Sequence, residues 1–118
     1  MRWSKSEQVE IIEIVEEQFQ LADLDLQNNG GIYAVIWFCD IGRFKPLTKK
    51  RIDSSGKKRI PLLESFERGK VWAGAYLRDG IVTFETYDLR QENVDHGIPY
   101  ALFETIMLTL IAKYPESN

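Results

Sequence analysis

The residues of this chain that most clearly suggest a chemical role are a doubled run of cations. Lys-Lys-Arg-Ile occupies positions 49–52 and recurs at 57–60, separated by Asp-Ser-Ser-Gly. Those four intervening residues are turn formers, so the segment is predicted to form a hairpin with a four-residue loop. In that register Arg51 faces Lys58, and like charges opposite each other destabilise paired strands. The hairpin is therefore expected either to project into water as a mobile arm or to bind an anionic group.

The net charge of −3 conceals a segregation of charge along the chain. From Arg43 to Arg59 there are eight bases and one acid, or +7, whereas the remainder has seven bases and seventeen acids, or −10. Such a dipolar molecule steers charged partners. The basic segment can neutralise nucleic-acid phosphates or enter an acidic pocket of a protein, and a solvated loop without a partner is the alternative. The eight bases are Arg43, Lys45, Lys49, Lys50, Arg51, Lys57, Lys58 and Arg59.

A second candidate surface lies on a hairpin predicted from Val71–Arg78 and Ile81–Leu89. Asp79-Gly80 suits a two-residue type I′ turn, which pairs Tyr76 with Thr83 and Gly74 with Glu85. One face is then apolar core (Ala73, Ala75, Leu77, Val82 and Phe84), and the other is mixed aromatic and polar (Trp72, Tyr76, Thr83, Glu85 and Tyr87). The mixed face can stack bases or contact a protein, and packing under the first helix is the alternative.

Residues that would support catalysis are sparse. Glu85 has no partner base, nucleophile or metal-ligand set, and Glu64, Glu67 and Lys70 lack the spacing of a two-metal nuclease. The single histidine, His96, builds neither a zinc site nor a triad. The single cysteine, Cys39, lies in an apolar run and is expected to be a packed, reduced thiol. We therefore expect a protein that is not an enzyme and has no metal or cofactor.

The elements that position these residues are predicted from caps and periodicity. A helix begins at the Ser4/Glu7 capping box, carries an apolar stripe through Leu26, and ends at 28–31. In an extended conformation residues 32–41 would be apolar on both faces, so they are predicted to be a strand that is covered on both faces. Pro46 and Pro61 exclude the basic segment from the centre of a sheet. Residues 62–68 are an unassigned connector, and a last helix runs from Pro99 to about Tyr114.

Length and composition indicate one soluble domain, spanning residues 1–118. We expect an α+β fold: an N-terminal helix, a mainly antiparallel sheet of three to five strands with a protruding basic hairpin (43–60), and a C-terminal helix packed on the sheet. The doubly apolar segment 32–41 favours helices on both sheet faces or a homodimer. No apolar stretch is long enough to span a bilayer and no signal peptide is apparent, so a cytoplasmic location is expected.

These features lead to two functional hypotheses. The first is a protein-binding inhibitor, such as a bacterial immunity protein or antitoxin that blocks a nuclease-type toxin by charge complementarity. It follows from the small size, the acidic body with its acidic first helix (Glu7–Glu17), and the basic arm. The alternative is a nucleic-acid-binding module, with the basic hairpin on phosphates and the Trp72, Tyr76 and Tyr87 face on bases.

Overall fold

The structure, a computed structural model, describes residues 3–27, 31–41, 60–86 and 97–115, with the backbone alone at 65–67 and 70–72. Within these ranges the helices are α1 (Lys5–Leu21), α2 (Gly31–Asp40) and α3 (Tyr100–Lys113). The strands are β1 (Ile60–Glu67), β2 (Lys70–Arg78), β3 (Ile81–Thr86) and β4 (Ile98–Pro99), which form an antiparallel sheet in the order β1-β2-β3-β4. The predicted α+β fold is confirmed, while the predicted basic hairpin lies outside the described residues.

Helix α1 begins as its capping box predicts. The Glu7 N–H donates to Ser4 Oγ at 3.2 Å, and the Ser4 N–H donates to Glu7 Oε1 at 2.9 Å. The apolar stripe buries Ile11, Val15 and Phe19. The predicted end at 28–31 is wrong, since the helix stops at Leu21.

The earlier end of α1 is a Schellman motif, a C-terminal cap with two reversed hydrogen bonds. Asp23 adopts a left-handed backbone (φ 57°), and its N–H donates to the Gln20 carbonyl at 3.0 Å. The Leu24 N–H donates to the Phe19 carbonyl at 2.9 Å. Aspartate tolerates this conformation better than most residues, so this cap closes the helix before the Asn-Asn-Gly-Gly run.

Helix α2 overturns the prediction of a strand at 32–41. Gly31, Ala34, Trp37, Phe38 and Ile41 are buried, a spacing of three to four residues that belongs to a helix. A short run without polar residues fits both periods, so the sequence pattern could not decide between them. Packing decides instead, because the Trp37 ring lies 5.1 Å from the Phe84 ring of β3.

The β2–β3 hairpin has the predicted register. Tyr76 pairs with Thr83, and Gly74 pairs with Glu85. Asp79 and Gly80 both have positive φ, at 52° and 79°, as a type I′ turn requires. The hairpin prediction is therefore confirmed over the described residues of both strands.

The connector at 62–68 belongs mostly to edge strand β1. Arg68 and Gly69 have positive φ values of 53° and 78°, so they repeat the turn conformation of the second hairpin. Pro61 lies on this edge strand, where its missing N–H removes no ladder bond from a central strand. A register shift follows it between Pro61 and Leu63. The expectation that the basic segment stays out of the centre of the sheet is not tested, because residues 42–59 lie outside the described residues.

The three described helices contribute to one core on the face of the sheet formed by Ala73, Ala75, Val82 and Phe84. The Phe103 ring of α3 lies 5.9 Å from the Phe84 ring, so the C-terminal helix packs on the sheet as expected. Helix α3 begins after Pro99, as predicted, and ends at Lys113 with Tyr114 as its C-terminal cap, one residue from the predicted limit. No described helix is both long and apolar enough to cross a membrane.

Candidate functional site

The predicted binding residues divide between described and undescribed parts of the chain. Tyr76 and Glu85 are described with their side chains, whereas Trp72 is described by its backbone alone. Tyr87, His96 and the eight bases of the segment from Arg43 to Arg59 lie outside the described residues. The structure therefore places two of the predicted residues, both on the sheet face opposite the helices.

Tyr76 is held against the sheet by the carboxylate of Glu64, a contact that the sequence pattern does not indicate. Its side chain is 5% exposed, and its Oη donates to Glu64 Oε2 at 3.1 Å. Glu64 lies opposite Gly74 on one side, and Glu85 lies opposite Gly74 on the other. The ring of Tyr76 occupies the space above Gly74, where a Cβ atom would overlap its Oη, Cζ and Cε2 atoms.

This row of Glu64, Gly74 and Glu85 spans three strands, so the two glutamate Cα atoms are roughly 9 to 10 Å apart. Thr83, the partner of Tyr76 in the pairing, is also buried. Tyr76 is thus a packed residue with a satisfied hydroxyl, and its ring presents little surface to a nucleic-acid base. Tyr76 is packed against Gly74 and Glu64 of the sheet rather than under the first helix, as the alternative supposed, while Trp72 and Tyr87 stay predictions.

Helix α1 carries the most strongly charged surface among the described residues. Residues 3–27 contain seven acids and one base, Lys5, which gives a net charge of −6. We call the exposed members of this group that follow Glu10 the acidic surface: Glu13, Glu16, Glu17, Asp23 and Asp25. Glu13 and Glu17 are four residues apart, a spacing at which like charges destabilise a helix by a few tenths of a kcal/mol. The acidic surface therefore carries a small folding cost.

Glu10 does not belong to the acidic surface, because its carboxylate contacts side chains at the end of α3. Tyr114 Oη donates to Glu10 Oε1 at 2.6 Å, and Lys113 Nζ lies 3.6 Å from Glu10 Oε2. The Trp3 ring packs 4.9 Å from the Tyr114 ring. We call Glu10, Lys113 and Tyr114 the helix clasp, since it joins residues far apart in sequence.

The clasp shifts the titration of both its acidic groups. The Tyr114 hydroxyl that donates to Glu10 holds the pKa of this carboxyl below its ordinary 4.5, and Lys113 acts in the same direction. Burial raises the pKa of Tyr114, and the Glu10 carboxylate raises it further. Both shifts favour the neutral phenol bonded to a charged carboxylate, which is the arrangement observed.

Cys39 does not have the environment of an activated nucleophile. It is half-buried on α2. Burial raises the pKa of its thiol, and the neighbouring Asp40 carboxylate raises it further. Activated thiols have lowered pKa values near cations or helix N-termini. Among the described residues there is also no group of three or more His, Cys, Asp or Glu side chains that could hold a metal ion.

Comparison of this chain with protein-family models, with curated proteins and with solved structures found no match.

Proposed function

We propose that this chain is a non-enzymatic, protein-binding inhibitor of the immunity or antitoxin type, which docks on a basic protein by charge complementarity. The observation that carries the proposal is the acidic surface on α1 and its C-terminal turn. Its five carboxylates lie on exposed residues of one continuous stretch of chain, while Glu10 beside them is engaged in the helix clasp. A nuclease-type toxin is a fitting partner, because enzymes that bind nucleic acid carry basic surfaces.

The acidic surface supports fast and selective association. Carboxylates clustered on one helix sum their fields, and the attraction extends over about a Debye length, roughly 8 Å at physiological salt. Complementary fields raise association rates and reject partners of like charge more than they raise the affinity itself. An inhibitor that must capture a toxin before the toxin acts benefits most from that kinetic effect.

The basic segment from Arg43 to Arg59 supplies the second part of the proposal. Its charge of +7 is opposite in sign to that of the acidic surface, so the two address different regions of a partner. Active sites that bind divalent cations are rich in carboxylates, and Arg51 and Arg59 can make forked contacts to them. In this proposal the basic segment enters the acidic active site of the partner, while α1 contacts the basic surface around that site.

The proposal is tested with the full chain, first by affinity capture from cells of its source and then by kinetics on the purified partner. We expect a stoichiometric complex in which the partner's activity is blocked. The triple variant Glu13→Gln, Glu16→Gln, Glu17→Gln should associate about tenfold more slowly at low salt, with rates that converge at high salt. Asp79→Asn is the control for loss of an exposed carboxylate that does not belong to α1.

The kinetic outcome separates the hypotheses. Equal association rates and equal salt dependence for the wild type and the triple variant would contradict docking through α1. Capture of nucleic acid instead, with steep salt dependence that is lost when Lys49, Lys50, Lys57 and Lys58 are changed to Ser, would replace the proposal by the nucleic-acid alternative.

A further inference from the structure

An open groove lies between the C-terminal end of α1 and the N-terminal end of α3. Its volume is about 380 Å³, and its lining includes Leu21, Ala22, Leu24, Ala101, Leu102 and Thr105. The two helices run antiparallel here, because the helix clasp joins the start of α1 to the end of α3 at the opposite end of the pair. The groove is thus the end of the α1–α3 packing that the clasp does not close.

The lining of the groove is mainly apolar and is open to a guest. Leu21 is 72% exposed, the highest value among the exposed large apolar residues of the described chain. Leu108, also exposed, lies three residues beyond Thr105 and so extends the same side of α3. Burial of an exposed leucine side chain is favourable, because it removes apolar surface from water. A partner that covers Leu21 therefore gains a local apolar contact that the free chain lacks.

The charge around the groove selects the guest. The groove is built from residues within 14–27 and 97–109, which together contain five acids and no lysine or arginine. Glu17, Asp23 and Asp25 are immediate chain neighbours of lining residues. An acidic segment would be repelled from this rim, whereas lysines or arginines flanking an apolar anchor would be attracted to it.

We infer that the groove receives a bulky aliphatic side chain from a basic segment of the partner, with its lysines or arginines on the acidic rim. This inference rests on the proposed function and deepens it, because it names the seat and the chemistry of the docking segment. The apolar contact supplies residence time, while the rim charges supply encounter rate. The groove volume lies within the range of sites that hold small apolar groups.

A defined peptide tests the inference without the natural partner. The probe is a labelled peptide of about 14 residues with leucines at i, i+3, i+4 and i+7 and lysines elsewhere, beside a version with alanine in place of leucine. Binding to the full chain is measured by fluorescence anisotropy, and amide chemical shifts locate the contact. We expect the leucine peptide to bind at least about tenfold more tightly than the alanine peptide and to shift amides that line the groove.

The decisive variant is Leu21→Glu, because its charge effect and its packing effect have opposite signs. An added acid should strengthen a purely electrostatic complex, whereas loss of the leucine should weaken a seated one by about tenfold. Val9→Glu is the matched control: it is also an exposed apolar residue of α1 (53% exposed), about 18 Å along the helix from Leu21. Circular dichroism verifies that both variants fold.

Three outcomes would overturn the inference: equal binding of the two peptides, unchanged or tighter binding by Leu21→Glu, or self-association of the free chain that Leu21→Glu abolishes. The last would assign the groove to a second copy. Failure of the groove is distinguishable from failure of the proposed function. If the natural partner still binds Leu21→Glu but not the triple Gln variant, the groove is wrong and charge-guided inhibition stands. If peptide binding requires Leu21 but the chain inhibits no protein, the groove is a binding site and the proposed inhibitor function is wrong.

Discussion

Tyr76 and Gly74 show how one residue depends on the absence of a side chain in another. The Tyr76 ring crosses over Gly74 to reach Glu64, which faces that glycine from the neighbouring strand. The conformational freedom of glycine is not required here, whereas its lack of a Cβ atom is. The Asp79-Gly80 turn correctly predicts Gly74 opposite Glu85, whereas nothing in the sequence pattern indicates that the tyrosine turns toward β1.

Replacing Gly74 with alanine is expected to destabilise the fold by about 1 to 3 kcal/mol, because the new Cβ atom displaces the buried Tyr76 ring. Urea unfolding measures the change. In a Tyr76→Ala background the same replacement should cost much less, since the overlap is gone. Equal costs in both backgrounds would show that the ring does not occupy this space.

At the scale of elements, α2 is held as a helix by what lies around it. Ala34 and Ile36 would share a face of the predicted strand, yet in the helix Ala34 is buried and Ile36 is 41% exposed. Every residue from 31 to 39 is uncharged, so no charged position marks the outer side of the helix. The outward position of Ile36 follows only from contacts with α1 and β3.

A helix and a strand at these positions lead to different predictions for lysine substitutions in α2. Ile36→Lys should cost less than about 1 kcal/mol, because the new side chain extends into water. Ala34→Lys should unfold the domain or cost several kcal/mol, because it places a charge in the core. Thermal unfolding of the two variants gives the comparison. Similar, large losses for both would favour a strand buried on both faces.

The helix clasp predicts how stability depends on pH. Because the folded-state pKa of Glu10 is lowered, its contribution is present above its ordinary pKa of 4.5 and is lost as pH falls through the lowered folded value. Unfolding measured from neutral pH down to about pH 3 should therefore show a steeper acid loss in the wild type than in Glu10→Gln. Glu13→Gln, exposed on the same helix, serves as the control. A Glu10→Gln profile parallel to the wild type would contradict the clasp.

At the scale of the whole molecule, charge segregation is the property on which the proposed function depends. The segment 43–59 and the rest of the chain carry +7 and −10, and a uniform distribution of the same net charge would not favour two kinds of partner. The structure adds that Glu13, Glu16, Glu17, Asp23 and Asp25 are all exposed.

Ion exchange tests this segregation directly. At pH 7 and low salt the chain should be retained by both anion and cation exchangers, although its net charge is −3. Changing Lys49, Lys50, Lys57 and Lys58 to Ser should abolish retention on the cation exchanger alone. Passage of the wild type through the cation exchanger would mean that its own carboxylates already neutralise the basic segment. That result would remove the second part of the proposed function, the entry of the basic segment into an acidic site.

The sequence by itself determined the features whose partners lie within a few residues: the Ser4/Glu7 cap, the Asp79-Gly80 turn with its register, and the limits of α3 at Pro99 and Tyr114. Each depends on local hydrogen bonds and backbone preferences that the residue types specify. Charge segregation also required no structure, because it is a sum over positions.

Only the tertiary structure decided the helical state of α2, the pairing of β1, the burial of Tyr76 and the exposure of Leu21 beside a groove. These depend on which faces other elements cover, and residues far apart in sequence provide that cover. An apolar run is compatible with helix or strand, and an aromatic residue with core or surface. Both ambiguities are resolved in the folded chain, because the native arrangement buries the most apolar area while still forming its hydrogen bonds. No single segment of the sequence specifies that arrangement.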